Sequence, residues 1–336
     1  MLSKLLAPIF MTLGILIGVH MGDVNTTSNS NAQKEVDFLS ADFSGQIPDR
    51  GRGQEFAADI IVNFPFKIKS EVPKPPEILP VKFPVADKIN PPDLKVKAGL
   101  SIDEKNNVYY EKNADEKTPI ASLTKLLTAL VVVDNLPADA EIVVSKNAVE
   151  TEGEMGDLVV GEKLSAKNLL YIMLVDSSND AAAALSEAIE QNGKNFTDLM
   201  NAKAKELKMA NSLFSDPAGL NPDNISTAND LAKLANAALK NPLIRQIINT
   251  EETDIFSTDN RTTHHLKNTN KLINKISGII GGKTGYTEEA GECLILMTEH
   301  QPSKTYFITI VLGAENGERF NEMEKLVSWT KKVYRW

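Results

Sequence analysis

PIASLTKLLTAL, residues 119–130, sets a serine and a lysine three positions apart in a stretch that is otherwise largely apolar and helix-forming. Positions i and i+3 share a helical face. Ser122 and Lys125 therefore point the same way, and Leu126 and Ala129 point with them. A lysine turned toward an apolar interior is costly unless it is paired or has lost its proton. The chemistry at stake is nucleophilic attack by a hydroxyl, which is weak without an adjacent base. A lone S-x-x-K arises by chance roughly once in a chain of this size. Its plain reading is a capping serine and a lysine that reaches out to solvent. Partners elsewhere in the chain decide between the two.

Two further stretches offer such partners. In VDSSNDAA, Ser177 and Asn179 sit in the break between two helical patterns, where backbone outside a helix can aim a hydroxyl and an amide. Taken alone, Ser177, Ser178 and Asn179 also read as helix caps. In GGKTGYT, the GKT suggests a phosphate loop. That loop needs a glycine six positions before the lysine, where Ser277 stands. It also needs a helix afterwards, where YTEEAGECLILM leads into strand. Nucleotide binding is therefore rejected. Lys283, Thr284 and Gly285 read as the start of an edge strand. Gly285 lets a ligand approach the backbone closely. Lys283 and Thr284 offer a positive charge and a hydroxyl to an anion such as a carboxylate.

The 336-residue chain is long enough for one large or two ordinary domains, and its 42% hydrophobic content supplies a sizeable core. A formal charge of -9 gives no support to a nucleic-acid role. The single cysteine, Cys293, rules out an internal disulfide framework and C-x-x-C metal sites, and it reads as a small buried residue. The histidines are His20, His264, His265 and His300. They leave few candidates for a Ser-His-Asp triad or a histidine-rich metal site, so a serine enzyme built from this chain takes its base from another residue type. His264 and His265 read as loop or edge-strand residues. Trp329, Tyr334 and Trp336 read as packing for the last helix. No metal and no cofactor is expected.

The N-terminus, MLSKLLAPIFMTLGILIGVHMGD, carries Lys4 ahead of an apolar run from Leu5 to Val19 and reads as an export signal. His20 and Met21 stand where cleavage wants small residues. Residues 1–22 are therefore expected to remain as an N-terminal single-pass anchor, with secretion after cleavage as the alternative. Lys4 before the run and Asp23 after it place the bulk of the chain outside the cytoplasm, in the cell envelope. Residues 23–92 read as a disordered and Pro-rich linker, because nine of the sixteen prolines fall between Pro48 and Pro92. The globular domain is expected over 93–336. LKVKAGLSID and NNVYYEKN read as two strands joined by a turn. Helices follow after Ser122, over SAKNLLYIMLVD, over DAAAALSEAIEQNG, and over TANDLAKLANAALKNP with a Thr227 cap and a Pro242 stop. Beyond Gly281 the pattern turns to strand, and RFNEMEKLVSWTKKVYRW closes with a helical stripe. Strands first and last with helices between predict an α+β fold, an antiparallel sheet covered by helices.

S-x-x-K, S-x-N and K-T-G in this order resemble the set carried by penicillin-binding proteins and β-lactamases. Over about Leu94 to Trp336 the chain resembles the low-molecular-mass penicillin-binding proteins of peptidase family S11, the D-alanyl-D-alanine carboxypeptidases. The resemblance runs through AGLSIDEKNNVYYEKNADEKTPIASLTKLLTAL, GEKLSAKNLLYIMLVDSSNDAAAAL, FSDPAGLNPDNISTANDLAKLA, the NTNKL stretch at Asn268, and GGKTGYTEEAGECL. It implies a β-lactamase/transpeptidase-like fold with an all-helical subdomain. It implies that Ser122 attacks the D-Ala-D-Ala carbonyl and forms an acyl-enzyme. Lys125, desolvated and next to cationic Lys283, would be the neutral base. Ser177 would relay a proton to the leaving nitrogen, and Asn179 would hold the substrate amide. Lys283 and Thr284 would bind the terminal carboxylate. The backbone N–H groups of Ser122 and Tyr286 would form the oxyanion hole. The implied partners are peptidoglycan stem peptides ending in D-Ala-D-Ala, β-lactams as inhibitors, and the membrane through the N-terminal segment.

The chain departs from the family in two places. Many members carry S-G-N where Ser177-Ser178-Asn179 stands. Many also carry a second β-rich domain and a C-terminal membrane helix, which the stretch after Gly285 is too short to supply. The N-terminal segment is expected to replace that anchor. A β-lactamase is disfavoured, because the class A enzymes deacylate with a glutamate and the acidic residues between Glu206 and Glu251 are the aspartates Asp216, Asp223 and Asp230. A DD-endopeptidase of the same chemistry stays open, as do the stem peptide and the oligomeric state. A non-catalytic peptidoglycan-binding protein is disfavoured by the intact set of site residues.

Overall fold

The computed structural model describes residues 89–153, 156–300 and 303–333. The apolar N-terminal run and the polar and Pro-rich stretch as far as residue 88 lie outside the described residues, as do Tyr334 and Trp336. Among the described residues no helix is long and apolar enough to cross a membrane.

The strands are β1 (Ala98–Asp103), β2 (Val108–Lys112), the short β3 (Thr118–Pro119), β4 (Glu141–Val143), β5 (Lys163–Ser165), β6 (Ile225–Ser226), β7 (Glu252–Phe256), β8 (Thr263–Lys267), and the long β9 (Ile279–Thr287), β10 (Gly291–Glu299) and β11 (Tyr306–Ala314). A 3₁₀ turn at Ala121–Thr124 leads into α1 (Lys125–Asn135). It is followed by α2 (Lys146–Val149), α3 (Ala166–Val175), α4 (Asn179–Glu190), α5 (Phe196–Glu206), α6 (Ala228–Lys240), α7 (Pro242–Ile248) and α8 (Arg319–Val333). Five strands form one antiparallel sheet in the order β2-β1-β11-β10-β9. The other strands pair as two-stranded ribbons, β3 with β6, β4 with β5 and β7 with β8. The fold is α+β, with the helical subdomain inserted between β2 and β9.

The sheet is buried on both faces, and β10 shows why CLILM is a continuous apolar run. Its Cys293, Ile295 and Met297 join the larger core with α1, α3 and α6. Its Leu294 and Leu296 join a second cluster with Met323, Leu326 and Val327 of α8. The turn from β1 to β2 closes on Asp103, whose Oδ1 accepts from the N–H groups of Lys105 (2.9 Å) and Asn107 (2.8 Å). Asn106 takes the left-handed conformation there, φ +66°. Helix starts follow cap chemistry: Ser165, Ser178 and Thr227 accept from the backbone N–H at the third position of α3, α4 and α6.

The structure departs from the sequence reading in three places. Pro242 does not simply stop a helix. Asn241 ends α6 and caps α7, and Pro242 occupies the first position of α7, where its missing N–H costs nothing. The β7–β8 hairpin was not legible, because ETDIF and THHLK bury only Ile255, His264 and Leu266 and carry little apolar alternation. The strand that holds Lys283 begins earlier than the sequence suggests, at Ile279, and β9 lies at the sheet edge as expected.

Trp329 on α8 is buried and packs edge-to-face on Tyr110 at 6.0 Å. Trp329→Ala is expected to lower the unfolding free energy by about 3–5 kcal/mol, read from urea denaturation. A loss below about 1 kcal/mol would mean that α8 is not fixed to the sheet in this way.

Candidate active site

Ser122 lies in the 3₁₀ turn, not inside a helix, and Lys125 is the first residue of α1. Side chains at i and i+3 eclipse one another in 3₁₀ geometry. The turn therefore brings the pair together more directly than an α-helix would, and Lys125 Nζ donates to Ser122 Oγ at 2.7 Å. The cap positions of the turn and of α1 are held by Ile120 and Thr124, not by Ser122. Ala121, just before it, has φ +48°, a conformation that costs energy for a residue with a Cβ. Neighbouring backbone holds it there. The N–H of Ile120 donates to the Asn224 carbonyl at 3.1 Å. A Cβ on Gly219 (φ +85°) would lie 2.0 Å from the Ala121 carbonyl oxygen, so only glycine fits beneath the turn.

Lys125 is 0% exposed. Its Nζ also donates to Asn179 Oδ1 at 2.7 Å and to the Ala218 carbonyl at 2.8 Å. Both of those oxygens only accept. Two N–H directions of Nζ are thus committed to them, and a third faces Ser122 Oγ. A hydroxyl can donate or accept, so loss of a proton from Nζ turns this last bond around. Asn179 is the first residue of α4 and not part of the break before it. Its Nδ2 donates to the Glu152 carbonyl at 2.9 Å. The loop carrying Glu152 is tied down by the buried carboxylate of Asp180, which accepts from Gly156 N (2.8 Å) and Leu158 N (3.2 Å).

Ser177 does sit in the break, with φ +66°. Its Oγ accepts from Lys283 Nζ at 2.7 Å, and Lys283 also donates to the Thr284 carbonyl at 2.9 Å. Lys283 is 1% exposed. Alternation along β9 puts Lys283 and Gly285 on one face, toward the Ser122 turn. A Cβ on Gly285 would lie 3.0 Å from the Ile120 carbonyl oxygen and 3.1 Å from Ser122 N, so β9 runs close against the turn and a side chain there would press on its backbone. Thr284 Oγ1 and Thr269 Oγ1 are 2.6 Å apart.

A cleft of about 300 Å³ opens above this arrangement. Ser122, Ser177, Thr284, Gly285 and Tyr286 line it, whereas Lys125, Asn179 and Lys283 are buried residues of its floor. Thr269, Lys271 and Arg319 line it too, and sequence reasoning did not single them out. Arg319 donates to the Gly285 carbonyl (2.9 Å) and to Glu292 Oε1 (3.0 Å), while its buried Nε has no hydrogen-bond partner among the described residues. No motif marks Arg319, which enters the cleft only because α8 starts beside β9. The NTNKL stretch was the one signal for Thr269 and Lys271. Tyr286 is 49% exposed at the rim, and Leu220 is 38% exposed beside Gly153.

The remaining candidates fall elsewhere. His264 is buried against Glu162 Oε1 at 2.7 Å, and His265 is exposed beside Asp254 Oδ1 at 2.6 Å. Both are on β8, and neither lines the cleft. Among the described residues no group of His, Cys, Asp and Glu could hold a metal ion.

Comparison with known proteins places these residues in a family. The family model described as Peptidase S11: D-alanyl-D-alanine carboxypeptidase matches residues 86–316. The chain is 39% identical over 194 residues to a D-alanyl-D-alanine endopeptidase of Pseudomonas aeruginosa, covering 57% of this chain and 63% of that protein, just under two thirds of its length. It is 36% identical over 240 residues to a D-alanyl-D-alanine endopeptidase of Escherichia coli, covering 70% of this chain and 77% of that protein. The crystal structure of the Streptomyces K15 DD-transpeptidase is similar with a TM-score of 0.66 at 29% identity, over 72% of this chain and 98% of that one.

Cys293 packs in the core, and burial pushes its thiol up to about 11. At pH 8 the thiolate fraction is then about 10⁻³. The folded protein is expected to leave a thiol reagent unreacted over minutes, and the denatured protein to take up one equivalent. Reaction of the native protein at the rate of a free thiol would contradict this packing.

Proposed function

This chain belongs to peptidase family S11, the D-alanyl-D-alanine carboxypeptidases, and on that premise we propose that it removes the terminal D-Ala from peptidoglycan stem peptides through an acyl-enzyme on Ser122. The observation that carries this reading is the 2.7 Å contact between Lys125 Nζ and Ser122 Oγ, with the two other N–H directions of Nζ committed to Asn179 and Ala218. Complete burial works against the ammonium form. The neutral amine keeps its two N–H bonds to those oxygens and turns its lone pair to the hydroxyl. Lys125 then takes the proton as Ser122 Oγ bonds to the carbonyl carbon of the D-Ala-D-Ala peptide.

The backbone N–H groups of Ser122 and Tyr286 receive the oxyanion. The tight approach of β9 to the turn at Gly285 supports this pairing. As the C–N bond breaks, Ser177 gives its hydroxyl proton to the departing nitrogen and takes in return the proton that Lys125 removed from Ser122, so that Lys125 is a neutral amine again, and Lys283 at 2.7 Å holds the Ser177 hydroxyl in place. Asn179 binds the substrate amide. The Thr284 hydroxyl, with Lys283 and Arg319 behind it, binds the carboxylate of the leaving residue. Water then attacks the ester on Ser122, with Lys125 again accepting the proton, and the shortened peptide leaves. Stem peptides lie outside the cytoplasm, and the apolar N-terminal run takes the domain there, kept as a single-pass anchor or removed after export.

A second reading is favoured by the names of two relatives at 39% and 36% identity, both D-alanyl-D-alanine endopeptidases. The same chemistry would then cut cross-linked stem peptides, the leaving group being a whole peptide. Release of D-Ala from a pentapeptide, run beside cleavage of a cross-linked dimer, separates the two.

The intact mass of the purified protein followed over time with benzylpenicillin tests the acyl-enzyme. A penicilloyl adduct that persists for minutes is expected, absent in Ser122→Ala and formed at least about 10³-fold more slowly in Lys125→Ala. An adduct that vanishes as the drug is consumed means a β-lactamase. Folded protein without an adduct overturns the role of Ser122.

A further inference from the structure

The loop from Ser215 to Asn224 takes no direct part in the acyl transfer above, yet it meets the nucleophile turn and α1 at four points. The Asn224 carbonyl accepts from Ile120 N at 3.1 Å. Gly219 packs directly against the Ala121 carbonyl. The Ala218 carbonyl accepts from Lys125 Nζ at 2.8 Å, and the Pro217 carbonyl accepts from Thr128 Oγ1 at 2.6 Å. The loop itself is neither helix nor strand. Its shape has to come from side chains.

One carboxylate supplies it. Asp216 Oδ1 accepts from the N–H groups of Ala218 (2.7 Å), Gly219 (2.6 Å) and Leu220 (3.2 Å). Asp216 Oδ2 accepts from Asn221 N (2.7 Å) and from Asn224 Nδ2. Asn224 is fully buried and returns its own Oδ1 to Ser215 N at 3.0 Å. Four successive N–H groups, from Ala218 to Asn221, are thus gathered on one side chain. The Ala218 carbonyl, with that of Pro217 before it, is left to meet α1, while the Asn221 carbonyl turns back to Asn224. Charge-assisted bonds of this kind are roughly twice as strong as neutral ones.

We propose that Asp216 is the positioning residue for the catalytic base. Its carboxylate folds the loop so that the Ala218 carbonyl is aimed at Lys125 Nζ, and so that the remaining direction of Nζ belongs to Ser122 Oγ. This rests on the acyl-transfer reading of Ser122 and Lys125. The Asn179 side-chain amide and the Ala218 carbonyl hold Nζ from two different elements. If the Ala218 carbonyl swings away, Nζ loses one of the contacts that orient it and can present an N–H where the lone pair is needed. A misplacement of about 1 Å at a reacting group costs on the order of 10²-fold in rate. A carboxylate that merely stabilised a surface loop would affect how much protein folds, not how fast a folded molecule acylates.

Asp216→Asn is the test. The change is nearly isosteric, but it puts an N–H₂ group against donors that Oδ2 now accepts. Stopped-flow acylation by a fluorescent penicillin separates the noncovalent dissociation constant from the first-order acylation constant. The expected result is a fall of about 10- to 100-fold in the acylation constant of the folded variant, with the dissociation constant within about twofold. Thr128→Val removes only the hydroxyl that holds the Pro217 carbonyl. It serves if Asp216→Asn does not fold, with an expected fall of about 3- to 10-fold. A folded variant that acylates at the wild-type constant overturns the positioning role, and so does one in which the dissociation constant accounts for the whole change. Wild-type protein that forms no Ser122-dependent adduct overturns the acyl-transfer reading and this inference with it, whereas a normal wild-type adduct beside an unaffected variant overturns the inference alone.

Discussion

A lysine head group with no access to solvent must have its hydrogen-bonding directions satisfied by protein, and the surroundings of Lys125 are arranged around that requirement. Oxygen atoms from separate segments meet it: Ser122 from the 3₁₀ turn, Asn179 from the start of α4, and Ala218 from a loop ninety-three residues away in sequence. Each partner can be in place only if its own segment is held. The helical subdomain and the loops that close over it supply that hold, and the main sheet supplies the fourth side through β9.

The way these segments are fastened has a common form. Carboxylates gather backbone N–H groups where loops must keep one shape: Asp216 for residues 218–221, Asp180 for Gly156 and Leu158, and Asp103 for the turn that closes β1 on β2. Such loops carry no repeating hydrogen-bond ladder, so their backbone donors need another acceptor. Glycine appears where two backbones have to touch. Gly219 and Gly285 approach the nucleophile turn from two sides, and a methyl group at either would press on Ala121 or Ser122. The positive φ of Ala121 and of Ser177 is held within this frame, as strain at a functional site commonly is.

The cleft combines a floor that water does not reach with a rim that it does. Lys125 and Lys283 are both buried within a domain whose sequence carries net negative charge. Arg319, beside Glu292 at the wall, and Lys271 add their charge to that of Lys283. Positive charge is thus concentrated where the proposed substrate brings a carboxylate, and low dielectric strengthens each of these contacts. Tyr286 and Phe320 give the lining an aromatic component.

What was legible in the sequence is local. Ser122 and Lys125 meet because a spacing of three brings them to one face in any helical turn, and the structure sharpens this by making the turn 3₁₀. CLILM announced a strand, Thr227 announced a helix start, and K-T-G announced an edge strand. The motifs together named the family, although no single one would have done so. What the sequence left undecided lies in contacts between distant segments. Nothing in RFNEM says that Arg319 faces Gly285, nothing in FSDPAGL says that its carbonyls hold a lysine on α1, and the polar β7–β8 hairpin has no apolar period to betray it. Periodicity and spacing are set by the dihedral angles of neighbouring residues and can be read along the chain. The partner of a buried donor or acceptor is set by where the whole fold brings another segment, and only the tertiary structure decides that.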